Sequence, residues 1–231
     1  GIGLRSIVET LHDPKGCGMD AIGIVKAVNS NYLKVRDTQS LSRLLLDCHI
    51  CEDANELACA LKEGFNGEPE AVCSGLLRVF PASTVAQTMC SDEGGGFTRG
   101  VTAMTMFNYY GGAMRPEQIA KAFYSRDGLN MGADEVANIL SDDWLNLRDE
   151  YVTDILHSEL GLNLPLIVTA GALYAENGAN MSADRVAQGL MNYPSSELSF
   201  DDAEEIMITA GIPEKEVEQA VEKIREESIK P

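Results

Sequence analysis

Apolar residues recur along much of this chain at the i, i+3, i+4 spacing of an amphipathic α-helix. Examples of this stripe, in chain order, are Val85/Thr88/Met89, Val136/Ile139/Leu140, Val152/Ile155/Leu156 and Ala203/Ile206/Met207. The alternating pattern of a β-strand is nearly absent. Only "LPLIVTAGALY" (164–174) has the composition of a strand, and its place in the repeat described next predicts a buried helix instead. The pattern therefore predicts an all-α fold.

Three segments of the chain share residues at matched positions: "MFNYYGGAMRPEQIAKAF" (106–123), "FYSRDGLNMGADEVANIL" (123–140) and "LYAENGANMSADRVAQGL" (173–190). Each has an aromatic residue in second place and a glycine four residues later. Methionine follows the glycine by three residues, an acid comes three further on, and Ile or Val is then followed by Ala. Agreement at so many positions indicates an internal repeat.

The methionine position recurs at intervals of mostly 17 residues. Its occupants are Phe80, Phe97, Met114, Met131, Leu147, Leu164, Met181, Leu198 and Ile212. Before residue 80 the repeat blurs, and candidate helices lie around 2–12, 20–28, 38–48, 53–63 and 68–79. Short helices are marginally stable alone and must bury their stripes on neighbours. The sequence thus predicts an array of roughly 12 short helices, as a superhelix or a compact bundle.

The segment "GLNMGADEVANIL" (128–140) predicts the local physics of one repeat. Gly128 can adopt a positive φ and end a helix. Met131 precedes the next helix and can pack on Val136 as a hydrophobic staple. Asp134 and Glu135 fall in the first turn, where the helix dipole favours negative charge.

Helix starts carry the expected capping residues. Gly132 is a permissible N-cap, and Ser182 and Ser199 are stronger caps at equivalent positions. Pro116 and Pro213 fall where a helix begins, so that their missing N–H groups do little harm.

The glycine-rich stretch "SDEGGG" (91–96) is the best candidate for a hinge. The repeat continues across it from Phe80 to Phe97, which favours one helical-repeat domain over 1–231. The alternative is a division into a cysteine-bearing part, 1–93, and an acidic part, 94–231.

The formal charge of −18 is unevenly distributed. Residues 1–100 carry nine basic and thirteen acidic side chains, whereas residues 101–231 carry nine basic and twenty-three acidic ones. This charge disfavours nucleic acids and anionic membrane surfaces. It is compatible with a basic protein partner or a bound cation, and solubility alone also explains it. No apolar run approaches the roughly 20 residues that a membrane-spanning helix needs. No secretory signal is visible, and the start at Gly1 fits an excised or processed chain.

All six cysteines lie in the first 90 residues: Cys17, Cys48, Cys51, Cys59, Cys73 and Cys90. They are too sparse for a fold built on disulfides, so we expect buried thiols in a reduced, intracellular protein. The "CHIC" motif at 48–51 leaves a metal site or a redox pair as alternatives. Zinc usually needs two such pairs, and only one is present.

Five acidic pairs lie in the second half of the chain: Asp134-Glu135, Asp142-Asp143, Asp149-Glu150, Asp201-Asp202 and Glu204-Glu205. "MGADEVANIL" (131–140) resembles the helix that precedes a calcium loop in EF-hand proteins, and "SELSFDDAEEIM" (196–207) is similar to the far end of such a loop. The spaced run of acids that forms an EF-hand loop is missing. We therefore assign no ligand residues, and we read the acids as caps and solvated faces.

Other candidate chemistry is weak. "GGGFTRG" (94–100) could hold an anion before a helix capped by Thr98, but it lacks the Lys-Ser/Thr of a phosphate-binding loop. None of the three histidines, His12, His49 and His157, lies in a recognisable catalytic motif. Trp144, Tyr109 and Tyr110 are expected between helices. No catalytic, cofactor or metal-binding residues are predicted.

The sequence favours a non-enzymatic helical-repeat protein that binds a protein partner or builds an assembly, because repeat arrays expose extended surfaces. A calcium-responsive EF-hand-like module and an enzyme with an unfamiliar site between helices remain the alternatives.

Overall fold

The computed structural model describes residues 3–30, 38–77, 79–108, 115–143 and 145–229. The described residues form fourteen α-helices and no strand, and 64% of these residues are helical. The helices are α1 (Leu4–His12), α2 (Ala21–Asn29), α3 (Thr38–Asp47), α4 (Ala54–Gly64), α5 (Pro69–Leu76), α6 (Ala82–Cys90), α7 (Arg99–Asn108), α8 (Pro116–Tyr124), α9 (Ala133–Leu140), α10 (Asp149–His157), α11 (Leu166–Tyr174), α12 (Ala183–Asn192), α13 (Phe200–Thr209) and α14 (Glu214–Ile229).

The predicted all-α array is confirmed. The five candidate helices before residue 80 correspond to α1 to α5, and "LPLIVTAGALY" contains helix α11. The described residues hold fourteen helices, slightly more than the roughly 12 expected. Four residues named above, Tyr109, Tyr110, Met114 and Trp144, lie outside the described part.

The contacts divide the chain into two compact units. Unit 1 is Gly1–Arg115 with Asp127–Leu129, and unit 2 is Pro116–Arg126 with Asn130–Pro231. The predicted hinge at 91–96 lies within unit 1. The prediction of one domain over 1–231, and its alternative boundary at residue 93, remain predictions.

Within each unit, most helices pack on the next helix, and contacts also join each helix to the next but one. In unit 1 the second kind of contact joins α1 to α3, α2 to α4, α3 to α5, α4 to α6 and α5 to α7. In unit 2 it joins α8 to α10, α9 to α11, α10 to α12, α11 to α13 and α12 to α14. Odd-numbered and even-numbered helices therefore form two rows that bury their apolar stripes between them.

One loop conformation recurs between consecutive helices. Two backbone hydrogen bonds define this loop. In the first, the carbonyl of the first loop residue accepts from the N–H five residues later. In the second, the N–H of the next residue, which is apolar, donates to a carbonyl in the last turn of the preceding helix. The first bond of each loop is Gly18 to Asp13, Gly96 to Ser91, Asn130 to Ser125, Asn163 to Ser158 and Asn180 to Ala175. The second is Met19 to Leu11, Phe97 to Met89, Met131 to Phe123, Leu164 to Leu156 and Met181 to Leu173.

The prediction for Gly128 is wrong. Helix α8 ends at Tyr124, and the residue with a left-handed backbone is Asn130, whose φ is 49°. Asparagine tolerates this conformation better than other residues with a side chain. Asn163 and Asn180 repeat it with φ of 55° and 50°.

The repeated glycine is required by a close approach to the preceding helix. At Gly161, an added Cβ would collide with the carbonyl oxygen of Ile155, and at Gly178 it would collide with that of Ala172. At Gly94 it would lie 2.5 Å from the carbonyl oxygen of Thr88. In each case the carbonyl belongs to the residue six positions earlier, so the loop can close only where a side chain is absent.

The segment 13–20 is a copy of this loop that sequence comparison missed. A Cβ added at Gly16 would lie 2.5 Å from the carbonyl oxygen of Thr10, again six residues earlier. Gly18 has a φ of 59° and takes the place of the left-handed asparagine. Met19 occupies the methionine position. The repeat therefore reaches the first helix pair of the chain.

The predicted caps have mixed outcomes. Ser199 caps α13, because its Oγ accepts a hydrogen bond of 3.1 Å from the N–H of Asp202. Thr98 accepts one of 3.3 Å from the N–H of Val101. Ser182 is the N-cap residue of α12, as predicted, but its side chain makes no capping hydrogen bond.

Gly132 is the N-cap residue of α9, as predicted, and its N–H donates to Glu135 Oε2 at 2.9 Å. The staple partners Met131 and Val136 are both buried, with 5% and 0% of their surface exposed.

Candidate functional site

The "CHIC" motif is a turn after α3. Cys48 follows the end of the helix, and His49 has a left-handed φ of 55°. Burial raises the pKa of Cys51 to about 12, with further contributions from Glu56, Asp53 and Cys59. The Cys51 thiol is therefore protonated at neutral pH, whereas nucleophilic attack and metal binding both need the thiolate.

The described residues contain no group of three or more His, Cys, Asp or Glu side chains that could hold a metal ion. Cys73 is fully buried within α5, and burial followed by the nearby Glu70 raises its pKa to about 12. Cys17 is exposed, and none of the six cysteines forms a disulfide. The expectation of buried thiols therefore holds for Cys51 and Cys73 but not for Cys17.

A pocket of about 540 Å³ opens in unit 1 at the starts of α2 and α4. Its lining combines half-buried Ile22, Ile50 and Cys59 with four exposed acids, Asp20, Asp53, Glu56 and Glu93. The volume is within the range of small-ligand pockets.

Three of the four carboxylates at this pocket hydrogen-bond to the backbone around helix starts. Asp20 accepts from the N–H of Gly23 at 2.7 Å, and Asp53 accepts from that of Glu56 at 2.9 Å. Glu56 in turn accepts from the N–H of Glu52 at 2.8 Å. These contacts explain the three acids by helix capping.

Two histidines serve the recurring loop. His12 and His157 are the last residues of α1 and α10, and each Nδ1 lies within hydrogen-bond distance of the carbonyl of the methionine-position residue in the following loop. The distances are 3.2 Å to Met19 and 2.7 Å to Leu164. The ring of His157 also packs edge-on against Tyr193, with centroids 5.4 Å apart. This repeated contact assigns both histidines a structural role.

A polar cluster in unit 2 surrounds α10. The hydroxyl of Tyr151 donates to Glu117 at 3.0 Å, and the second oxygen of Glu117 is buried. Burial and the charge of Glu117 raise the pKa of Asp154, while His157 opposes that shift. The arrangement joins α8 to α10 by a hydrogen bond between side chains.

Three of the five acidic pairs lie in the first turn of a helix, whereas Asp142-Asp143 lies in the loop after α9 and Glu204-Glu205 lies in the middle of α13. Asp149 accepts two hydrogen bonds from Arg185, and Asp134 accepts one of 3.2 Å from Asn177. Hydrogen bonds from the side chain and the N–H of Ser199 lower the pKa of Asp202. Helices α10 to α12 lie between the two segments that resemble parts of an EF-hand.

The surface of unit 2 remains strongly acidic after its ion pairs are formed. Basic residues that pair with carboxylates are Arg148 with Glu150, Arg185 with Asp149, Lys223 with Asp184 and Arg225 with Asp201 and Glu222. Asp201, Glu204, Glu205, Ile208 and Thr209 follow the i, i+3, i+4, i+7, i+8 spacing along one face of α13 and line a groove of about 410 Å³. This face presents carboxylates next to an exposed isoleucine.

Comparison of the chain with protein-family models, with curated proteins and with solved structures finds no match. The fold class therefore rests on the helices themselves, which define an all-α helical array. None of the helices in the described ranges combines the length and the apolar character needed to cross a bilayer.

Proposed function

We propose that this protein is a non-enzymatic helical-repeat protein whose acidic second half binds a basic protein partner. The observation that carries the proposal is the charge of residues 101–231, which hold twenty-three acidic and nine basic side chains. Such an excess of one sign steers oppositely charged partners toward the surface.

The fold supplies a suitable surface for such a partner. Rows of short helices leave the outer face of each helix available for contact. On α13 that face carries Asp201, Glu204 and Glu205 along one groove. Cations of a partner bound there would neutralise these carboxylates. Their mutual repulsion would then fall, which favours binding further.

Affinity capture from a cell lysate tests the proposal when wild type is compared with a charge-reversed variant. The variant is Asp142→Lys/Asp143→Lys/Glu205→Lys, whose three positions are exposed. Asp202 is spared because it takes part in the cap of α13. Glu52→Lys/Glu70→Lys/Asp92→Lys in unit 1 is the matched control, since it changes the net charge equally at exposed positions.

Wild type and the control should retain the same basic proteins, and rising salt should release them. The variant in unit 2 should lose them. Retention that depends neither on salt nor on the reversed residues of unit 2 would refute the proposal.

A further inference from the structure

Four large apolar side chains of unit 2 are exposed on α11, on α13 or in the loop before α11. Leu160 lies in the α10–α11 loop and has 72% of its surface exposed. Ile167 and Val168, in the first turn of α11, are 43% and 44% exposed, and Ile208 near the end of α13 is 38% exposed. We call these four residues the α11 patch.

Other copies of the repeat carry mostly polar residues at the same positions. The residues equivalent to Ile167 are Asp134, Glu150, Asp184 and Asp201, and those equivalent to Val168 are Glu135, Tyr151, Arg185 and Asp202. The residues equivalent to Leu160 include Asp127, Asp143 and Asn177. The fold therefore does not need apolar residues at these positions. In the first turn of a helix, acids would even be favoured by the dipole.

Helix α13 carries Ile208 near its end and packs beside the second half of α11. Helices α11 and α13 pack together, and the carbonyl oxygen of Ala210 lies 3.8 Å from where a Cβ on Gly171 would stand. The end of α13 that carries Ile208 therefore borders α11. Exposed apolar residues gathered in this way mark an interaction surface more often than isolated ones do.

Three exposed acids lie near members of the α11 patch, and one cation, Lys121, donates from its Nζ to the carbonyl of Glu159 at 3.1 Å. Glu159 is exposed beside Leu160, and Glu205 is exposed one turn before Ile208 on α13. Glu214, at the start of α14, is exposed four residues after Ala210. An apolar centre with an acidic rim is complementary to a segment that has apolar side chains on one side and Lys or Arg around them.

We infer that the α11 patch binds an amphipathic basic helix of a partner protein, through apolar contacts at its centre and carboxylates at its rim. This inference rests on the proposed function and specifies its contact surface. A second copy of this chain fits less well, because two such surfaces would bring their carboxylates together.

Fluorescence anisotropy with labelled peptides of about 18 residues, long enough for five helical turns, tests the inference on the full chain. The probe is a Leu/Lys peptide with its leucines on one helical face. The first control has the same composition with the leucines scattered around the helix, and the second replaces Lys by Glu. The probe should bind about tenfold more tightly than the scattered peptide, and the Glu peptide should not bind at about 100 mM salt.

Variants of the protein locate the site. Ile167→Ser/Val168→Ser should weaken binding of the Leu/Lys peptide about tenfold, because both side chains lose apolar area that the peptide would cover. Met104→Ser removes a comparably exposed apolar residue of unit 1 and should leave binding unchanged. Circular dichroism melting curves of all variants check that each is folded.

A second pair of variants separates the effect of the rim carboxylates on peptide binding from the effect of the protein's net charge. Glu159→Lys/Glu205→Lys changes the rim, whereas Glu218→Lys/Glu226→Lys makes the same charge change at exposed positions on α14. The rim variant should bind the peptide about tenfold more weakly than the α14 variant.

Equal weakening by both charge variants, or full binding by Ile167→Ser/Val168→Ser, would overturn the assignment of the α11 patch. The proposed function would survive that result if the lysate proteins are still lost with Asp142→Lys/Asp143→Lys/Glu205→Lys. Analytical ultracentrifugation tests whether a second copy of this chain occupies the patch instead. A wild-type dimer that Ile167→Ser/Val168→Ser dissociates would show that it does.

Discussion

Arg185 on α12 donates two hydrogen bonds to the carboxylate of Asp149 on α10, with Nε at 2.8 Å from Oδ2 and the terminal nitrogen at 2.6 Å from Oδ1. Asp149 is the more enclosed partner, with 18% of its side chain exposed against 50% for Arg185. The hydrogen bonds raise the pKa of Arg185. A two-point contact of this kind fixes the position of one helix against the next but one.

We expect a double-mutant cycle of Arg185→Gln and Asp149→Asn to give a coupling free energy of about 1 kcal/mol, since the pair is bidentate but half-exposed. Urea denaturation of the four proteins measures it. The matched control is the pair Arg148 and Glu150, where 81% of the arginine side chain is exposed. Its coupling should be close to zero, and equal coupling in the two cycles would contradict the structural role of the first.

Gly161 provides a test of the recurring loop. Gly161→Ala should lower the free energy of unfolding by about 2 kcal/mol or more, because the new Cβ would collide with the carbonyl of Ile155 and the loop would have to shift. Gly171→Ala, within helix α11, would place its Cβ 3.8 Å from the carbonyl oxygen of Ala210, which is an ordinary van der Waals contact. This substitution should raise the free energy of unfolding by about 0.5 to 1 kcal/mol. Thermal and urea unfolding compare the two, and a tolerated alanine at 161 would refute the packing argument.

The sequence predicts the helices better than it predicts the loops between them. The apolar stripes and the helix starts at Thr98 and Ser199 follow from local chemistry, and local chemistry is visible in a sequence. The role of Gly128 was assigned wrongly because Gly and Asn both tolerate a positive φ. Which of them adopts it depends on how closely the loop packs on the preceding helix.

The candidate site was less predictable than the fold. The exposure of Ile167 and Val168 depends on how α11 lies in the array, and the amphipathic pattern of a single helix does not contain that information. Their departure from Asp134 and Glu135 at the equivalent positions was visible in the repeat. This difference between repeats indicates an interaction surface only because both side chains are exposed in the structure.

Thiol chemistry offers a pH-dependent test of the cysteines. Cys51 and Cys73 are 2% and 0% exposed, and the pKa of each is raised to about 12. Iodoacetamide at about pH 8 should therefore modify exposed Cys17 rapidly and leave Cys51 and Cys73 unmodified until the protein is unfolded. Mass spectrometry of tryptic peptides measures each site, and rapid modification of native Cys51 would support a reactive role for the "CHIC" motif.

The same pKa values predict a loss of stability in alkali. Above the ordinary thiol pKa of 9.0, the unfolded chain ionises Cys73 while the folded chain keeps it neutral until about pH 12. The free energy of unfolding should therefore fall as pH rises from 9 toward 12, by up to about 1.4 kcal/mol per pH unit for this thiol. Cys73→Ala should make the fall shallower, whereas Cys17→Ala should not change it. Identical slopes for the two variants in urea unfolding would show that the buried thiol does not govern this dependence.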